Sequence, residues 1–148
     1  MSTMNTYTTS NHQPCIVLCT TNSHESAIKI AQHILANRLA ACVSLLPEVV
    51  SIYLWQGNIT QDKEILLLIK TTHENQLSLF NAIKEIHPYE TPELIRLDPS
   101  QVEDNYLQWL INSVKKQLSI WINKHYFTAQ RLIYFFTKLF YWSGMVYT

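Results

Sequence analysis

The sequence predicts an α+β fold, and three observations carry that reading. Short β-rich stretches hold apolar residues that alternate or run on without a break. Between them, apolar residues recur at three- and four-residue spacing, and proline, glycine and capping residues punctuate the boundaries. In chain order these give β-α-β-β-α-β and then one further helix.

"CIVLCT" (15–20) alternates poorly, as expected for a strand buried on both faces. In "NSHESAIKIAQHILANRL" the residues Ala27, Ile28, Ala31, Ile34 and Leu35 form one helical stripe, with Asn22 and Glu25 as a capping pair. "ACVSLL" and "VVSIYLW" flank Pro47–Glu48, and a proline that removes a ladder donor predicts one long, bent strand. "QGNITQD" (56–62), which holds one of only two glycines, reads as a turn before the return strand "KEILLLIKT". Thr71 and Glu74 form a capping box for a helix carrying Leu77, Phe80 and Ile83, and Pro88 ends that helix at His87. "ELIRL" (93–97) alternates as a strand, and Ser100 with Glu103 caps a last helix that sets Val102, Tyr106, Leu110 and Val114 on one face.

This order is the split βαβ arrangement of a ferredoxin-like sandwich with an added C-terminal helix. In that arrangement helices cover one face of an antiparallel sheet. The strands are apolar on both sides, Ile65, Leu67 and Ile69 against Leu66 and Leu68. The second face therefore calls for a partner, and self-association is expected. Residues 1–14 read as a flexible N-terminal segment, 15–117 as the domain and 118–148 as an aromatic-rich extension. The extension's "LIYFFTKLFYW" is too short, and with Lys138 too polar, for a spanning helix. No transmembrane segment is expected; packing on the assembled protein or contact with a membrane surface are the two roles open to the extension.

Eleven basic residues balance eleven acidic ones, so there is no electrostatic footprint for nucleic acid. The start lacks the basic and apolar regions of a secretory signal, and the three cysteines, Cys15, Cys19 and Cys42, form an odd set suited to reduced thiols; both point to the cytoplasm. With two glycines a phosphate loop is excluded, and no nucleophile elbow or Ser-His-Asp order is present, so the protein is not expected to be an enzyme.

"VLCTT", "LAACVSLLPEVVSIYLWQG", "KEILLLIKT", "HPYETPELIRL" and "YLQWL" follow one another in the order and spacing of the CutA divalent-cation tolerance proteins, which this chain resembles from about Cys15 to Val114. The resemblance implies a cytoplasmic, non-catalytic homotrimer, similar to the PII signalling proteins, that binds copper, with zinc or another divalent cation as the alternative. It nominates Cys19, His87 and Glu93 as metal ligands. One departure is Ile86, where some relatives carry a second histidine.

Topology tests that nomination. The last strand should lie antiparallel beside the first, which brings Cys19 near Glu93, and the stiff segment from Pro88 to Pro92 tethers His87 close by. A thiolate, an imidazole and a carboxylate suit copper or zinc better than magnesium or calcium. The alternative is that "HPYETPE" is a structural joint between helix and strand. Tyr53, Trp55, Tyr89 and Glu90 are candidates for contacts between subunits. Two further readings are a PII-like scaffold taking a small ligand in intersubunit clefts, and an acid-base enzyme using His87 with Glu90 or Glu93.

Overall fold

The computed structural model describes residues 12–115; the expectations for residues 1–11 and for the extension at 118–148 lie outside them. Seven main elements follow one another: β1 (Pro14–Thr21), α1 (His24–Ala36), β2 (Cys42–Trp55), β3 (Asn58–Thr72), α2 (Gln76–Ile86), β4 (Ile95–Leu97) and α3 (Asp104–Val114), with a 3-10 turn, His73–Asn75, leading into α2. The sheet is antiparallel in the order β2-β3-β1-β4.

One face of the sheet makes the core. Cys15, Val17, Cys19 and Thr21 of β1 are buried, and they stand opposite Thr71, Ile69, Leu67 and Ile65 of β3. Strand periodicity puts all eight on the same side. Ala27, Ile30 and Ile34 of α1 and Leu79 and Ile83 of α2 close over this side and complete the apolar cluster. The helix faces differ from the predicted ones in phase. Ile28, Leu35 and Leu77 are exposed, because the stripe that meets the sheet is shifted to Ile30 and to Leu79. α3 lies against β1 and β3 with Leu110 and Val114 buried outside this cluster.

Boundaries moved where backbone chemistry outweighed pattern. Ser23 rather than Asn22 caps α1, its Oγ accepting from the Ser26 N–H at 3.1 Å. Thr71 makes no capping box, because it is still inside β3 and donates its buried hydroxyl to the Leu39 carbonyl at 2.6 Å. At α3 the cap is Glu103 itself, whose Oε2 accepts from the Tyr106 N–H at 2.8 Å. β4 begins at Ile95, two residues later than predicted.

The bend in β2 is present and has a defined form. Leu46 pairs with Leu66 but Val49 with Glu64, so β2 holds one residue more than β3 across Pro47–Glu48. Glu48 takes a φ of +56°, the left-handed conformation that a bulge of this kind uses. Beyond the bulge the two strands continue to Trp55 and Asn58 as a ribbon past the reach of β1, whose pairing with β3 stops at Ile65. Only Gln56 and Gly57 make the turn, with φ of +49° and +83°, so the predicted seven-residue turn is a two-residue one of the primed type.

The helix phase has a direct consequence for stability. Leu79→Ala is expected to cost about 2–5 kcal/mol, whereas Leu77→Ala should stay within about 0.5 kcal/mol. Urea unfolding of the two variants separates these values, and equal losses would contradict the assigned face.

Candidate functional site

The second face of the sheet carries the site, and the bulge in β2 decides what reaches it. Before the bulge, the β2 residues on that face are Ser44 and Leu46, opposite Leu68 and Leu66. After it they are Val49, Ser51, Tyr53 and Trp55, opposite Glu64, Asp62, Thr60 and Asn58. One extra residue thus exchanges the faces of β2 and turns Ser51, Tyr53 and Trp55 toward the side that carries Glu64. Thr20 of β1, opposite Leu66, points the same way. Continuing the β1–β4 register back from Leu18 and Ile95 sets Leu94 beside Cys19 and Glu93 beside Thr20. Leu94 does pack on the core cluster, as that register requires.

A cavity of about 630 Å³ opens on this face. Tyr53 and Trp55 of the ribbon form one wall, Thr20 and Glu64 belong to the strands, and Tyr89, Glu90, Thr91 and Glu93 come from the segment after α2. None of these lining residues is basic. Glu64 is only 7 % exposed, and each carboxylate oxygen accepts from a neutral donor: Ser51 Oγ donates to Oε2 at 2.6 Å and Tyr89 Oη to Oε1 at 2.8 Å. Burial, and then the hydrogen bond to Glu64, push the Tyr89 phenol well above its ordinary value. Tyr53 donates to Asp62 at 2.6 Å and stands edge-on to Trp55, with ring centroids 6.5 Å apart.

The predicted trio is not assembled. Cys19 is fully buried on the core face, one residue out of phase with Thr20 and hence on the far side of the sheet from the cavity. Its thiol is pushed up to about 12, first by burial and then by the charges of Glu93 and Glu64, so it stays protonated at neutral pH. His87 ends α2, its N–H bonded to the Ile83 carbonyl. Both ring nitrogens are engaged: Nε2 donates to the Thr20 carbonyl at 3.0 Å, and Nδ1 accepts from the Tyr89 N–H at 3.0 Å. No nitrogen lone pair is left for a metal or for a partnership with Glu90 or Glu93. Of the three, Glu93 alone lines the cavity. Among the described residues no three His, Cys, Asp or Glu side chains form a ready metal cluster.

A family model described as the CutA1 divalent ion tolerance protein matches residues 15–113. The chain belongs to that family. The divalent-cation tolerance protein CutA of Escherichia coli O139:H28 is 39 % identical over 106 residues, 72 % of this chain and 95 % of that protein. Among solved structures, the CutA1 divalent ion tolerance protein of Ehrlichia chaffeensis superposes with a TM-score of 0.69 at 31 % identity, covering 72 % of this chain and 100 % of its own. The protein from Archaeoglobus fulgidus, described as the periplasmic divalent cation tolerance protein CutA, gives 0.67 at 28 % identity, covering 69 % of this chain and 99 % of its own. Among the described residues of this CutA1 family chain, no helix is long and apolar enough to cross a membrane.

Two residues of this face, Glu64 and its donor Ser51, escaped the sequence reading of this CutA1 family member. Strand alternation offered a signal for Glu64, because it shares a face with Leu66 and Leu68 while Ile65 and Leu67 face the core. Ser51 gave none, since its face depends on the single extra residue at the bulge.

The His87 environment predicts a pH dependence. Burial outweighs the hydrogen bonds and the Glu64 charge, so the imidazole titrates below its ordinary 6.5. A group depressed in this way supports the fold above the unfolded-state value and loses that support as pH falls through the folded one. An NMR titration of His87 is expected to give a midpoint below 6.5 and faster exchange of the Tyr89 amide on the acid side. A midpoint above 6.5 would show that the ring is not held as described.

Proposed function

We propose that the chain is a non-catalytic homotrimer of ferredoxin-like protomers that binds a divalent transition-metal ion, copper first and zinc second, and so contributes to metal-ion tolerance in the cytoplasm. The observation that carries this reading is the cavity on the second face, whose lining includes Glu64, Glu90 and Glu93 and no basic residue. Oxygen donors of this kind accept divalent ions in the general order that puts Cu(II) above Zn(II). They favour Cu(II) over Cu(I), whose preferred thiolate is lacking because the Cys19 thiol is buried and protonated. Glu93 stays in the proposed ligand set, while Cys19 belongs to the core and His87 to the support of the loop.

The trimer is supported by the ribbon beyond the bulge. Val50, Ile52, Leu54, Trp55 and Ile59 are all exposed there, a concentration of apolar surface that a second copy would cover. The strand order, read from the other edge as β4-β1-β3-β2, supports the ferredoxin-like reading. A second reading, a PII-like scaffold holding a small ligand, is favoured by the size and aromatic wall of the same cavity. The acid-base enzyme finds no such support, because His87 is bonded to backbone groups.

Isothermal titration of the reduced full chain with Cu(II), Zn(II) and Cu(I) tests the metal. Cu(II) should bind most tightly, Glu93→Gln should weaken it by about tenfold or more, and Cys19→Ser should leave it unchanged. Absence of saturable heat with every divalent ion, or loss of Cu(II) binding in Cys19→Ser, would overturn the assignment. Light scattering should report three chains, and Trp55→Ala should weaken their association by about 2 kcal/mol; a stable monomer at micromolar concentration would remove the trimer.

A further inference from the structure

The hydrogen-bonding groups that line the cavity on the second face fall into two sets. Glu64 is supplied from within the protein, by Ser51 on one oxygen and Tyr89 on the other. Glu90 and Glu93 have neither a hydrogen bond nor an ion pair among the described residues, and the same holds for the Thr91 hydroxyl and the Trp55 indole N–H. A ligand therefore meets a fixed wall at Glu64 and open acceptors at Glu90 and Glu93. Such acceptors call for a molecule that brings several O–H or N–H donors.

The opposite wall is aromatic. Trp55 is 62 % exposed, and Tyr53 stands against it at 80°, so the two rings form a corner in which the indole is the more exposed member. The face of an aromatic ring is electron-rich and attracts polarised C–H bonds. Two rings at right angles give a ligand one surface to lie on and do not close a cage around an ammonium ion. Anions are disfavoured by charge, because three carboxylates and no basic side chain line the cavity. Its volume of about 630 Å³ is that of a site for a small organic molecule. A ring sugar meets all these conditions together: it is neutral, it has an apolar face of C–H bonds, and its rim carries hydroxyl donors.

We propose that the cavity binds a neutral saccharide, with the C–H face of the sugar on the Trp55 indole and its hydroxyls donating to Glu90 and Glu93, and that it rejects the phosphate ester of the same sugar. The proposal rests on the reading of the cavity as the pocket of a small ligand, and it names the class of that ligand. Hydrogen bonds from the sugar to the two carboxylates are charge-assisted, which makes them the stronger part of the contact. The indole selects the face that the sugar presents.

Isothermal titration of the reduced full chain with D-glucose, D-galactose and maltose, alongside glucose 6-phosphate and adenosine, tests the class. At least one of the three sugars should bind saturably at millimolar concentration and shift the NMR signal of the Trp55 indole N–H, while glucose 6-phosphate gives no saturable heat. Glu90→Gln and Glu93→Gln should each weaken that sugar about tenfold, the scale of one charge-assisted hydrogen bond. Trp55→Phe, which keeps an aromatic ring in the ribbon, should weaken it several-fold; the two carboxylate variants decide the matter where Trp55→Phe fails to assemble. Sugar binding unchanged in all three variants, or glucose 6-phosphate bound as tightly as glucose, would overturn the assignment. Binding of adenosine with none of the sugars would overturn the saccharide and leave the small-ligand reading standing. No binding of any sugar or of adenosine would remove both.

Discussion

Side chains on a strand point alternately to its two faces, and in this molecule that alternation is broken at one place only along β2, between Leu46 and Val49. Everything on the second face depends on that break. Without the extra residue, Val50, Ile52 and Leu54 would share a face with Glu64, and the buried carboxylate would lose its Ser51 donor and keep only Tyr89. With it, Ser51 comes within 2.6 Å of Glu64, and Tyr53 and Trp55 wall the cavity. Pro47 and the positive φ of Glu48 are the local means by which the strand makes the exchange.

Glu64 repays this arrangement by tying three parts of the chain together. Its two oxygens reach β2 through Ser51 and the post-helical segment through Tyr89, while its backbone lies in β3. Hydrogen bonds to a charged acceptor contribute about 1.5–3 kcal/mol each, but neutral donors leave the charge itself uncompensated. A carboxylate held in this way keeps a donor on each oxygen, so its burial joins β2, β3 and the post-helical segment at one point.

Much of the fold was legible from the residues. The apolar alternation of β3, the helical stripes and the bend at Pro47 are local signals, and each identified its element. The phase of a helix is not local: Leu77 and Leu79 are equally apolar, and only the position of the sheet makes Leu79 the buried one. The same limit governed the site. Strand pairing correctly suggested that the end of β1 would meet the approach to β4, yet a pairing argument fixes backbone neighbours and leaves the face to parity. Cys19 and Thr20 are adjacent in sequence and on opposite sides of the sheet. Competition for hydrogen bonds was equally invisible in "HPYETPE", where the histidine looked free to bind and is in fact occupied at both nitrogens.

The sheet order also has a kinetic meaning. β2 and β3 are joined by a two-residue turn, so their pairing closes almost no loop, whereas β1 must wait for β3, and then for β4, which arrives near the end of the described chain. Contacts between residues so far apart in sequence carry the largest closure entropy and form slowly. The hairpin is thus the natural nucleus, and amides shared by β1 and β4 should gain protection after those of the hairpin in a refolding pulse-label. The segment from His87 to Glu93 lies just before that strand, so its bonds to the Thr20 carbonyl and to Glu64 join the local hairpin to the distant edge of the sheet.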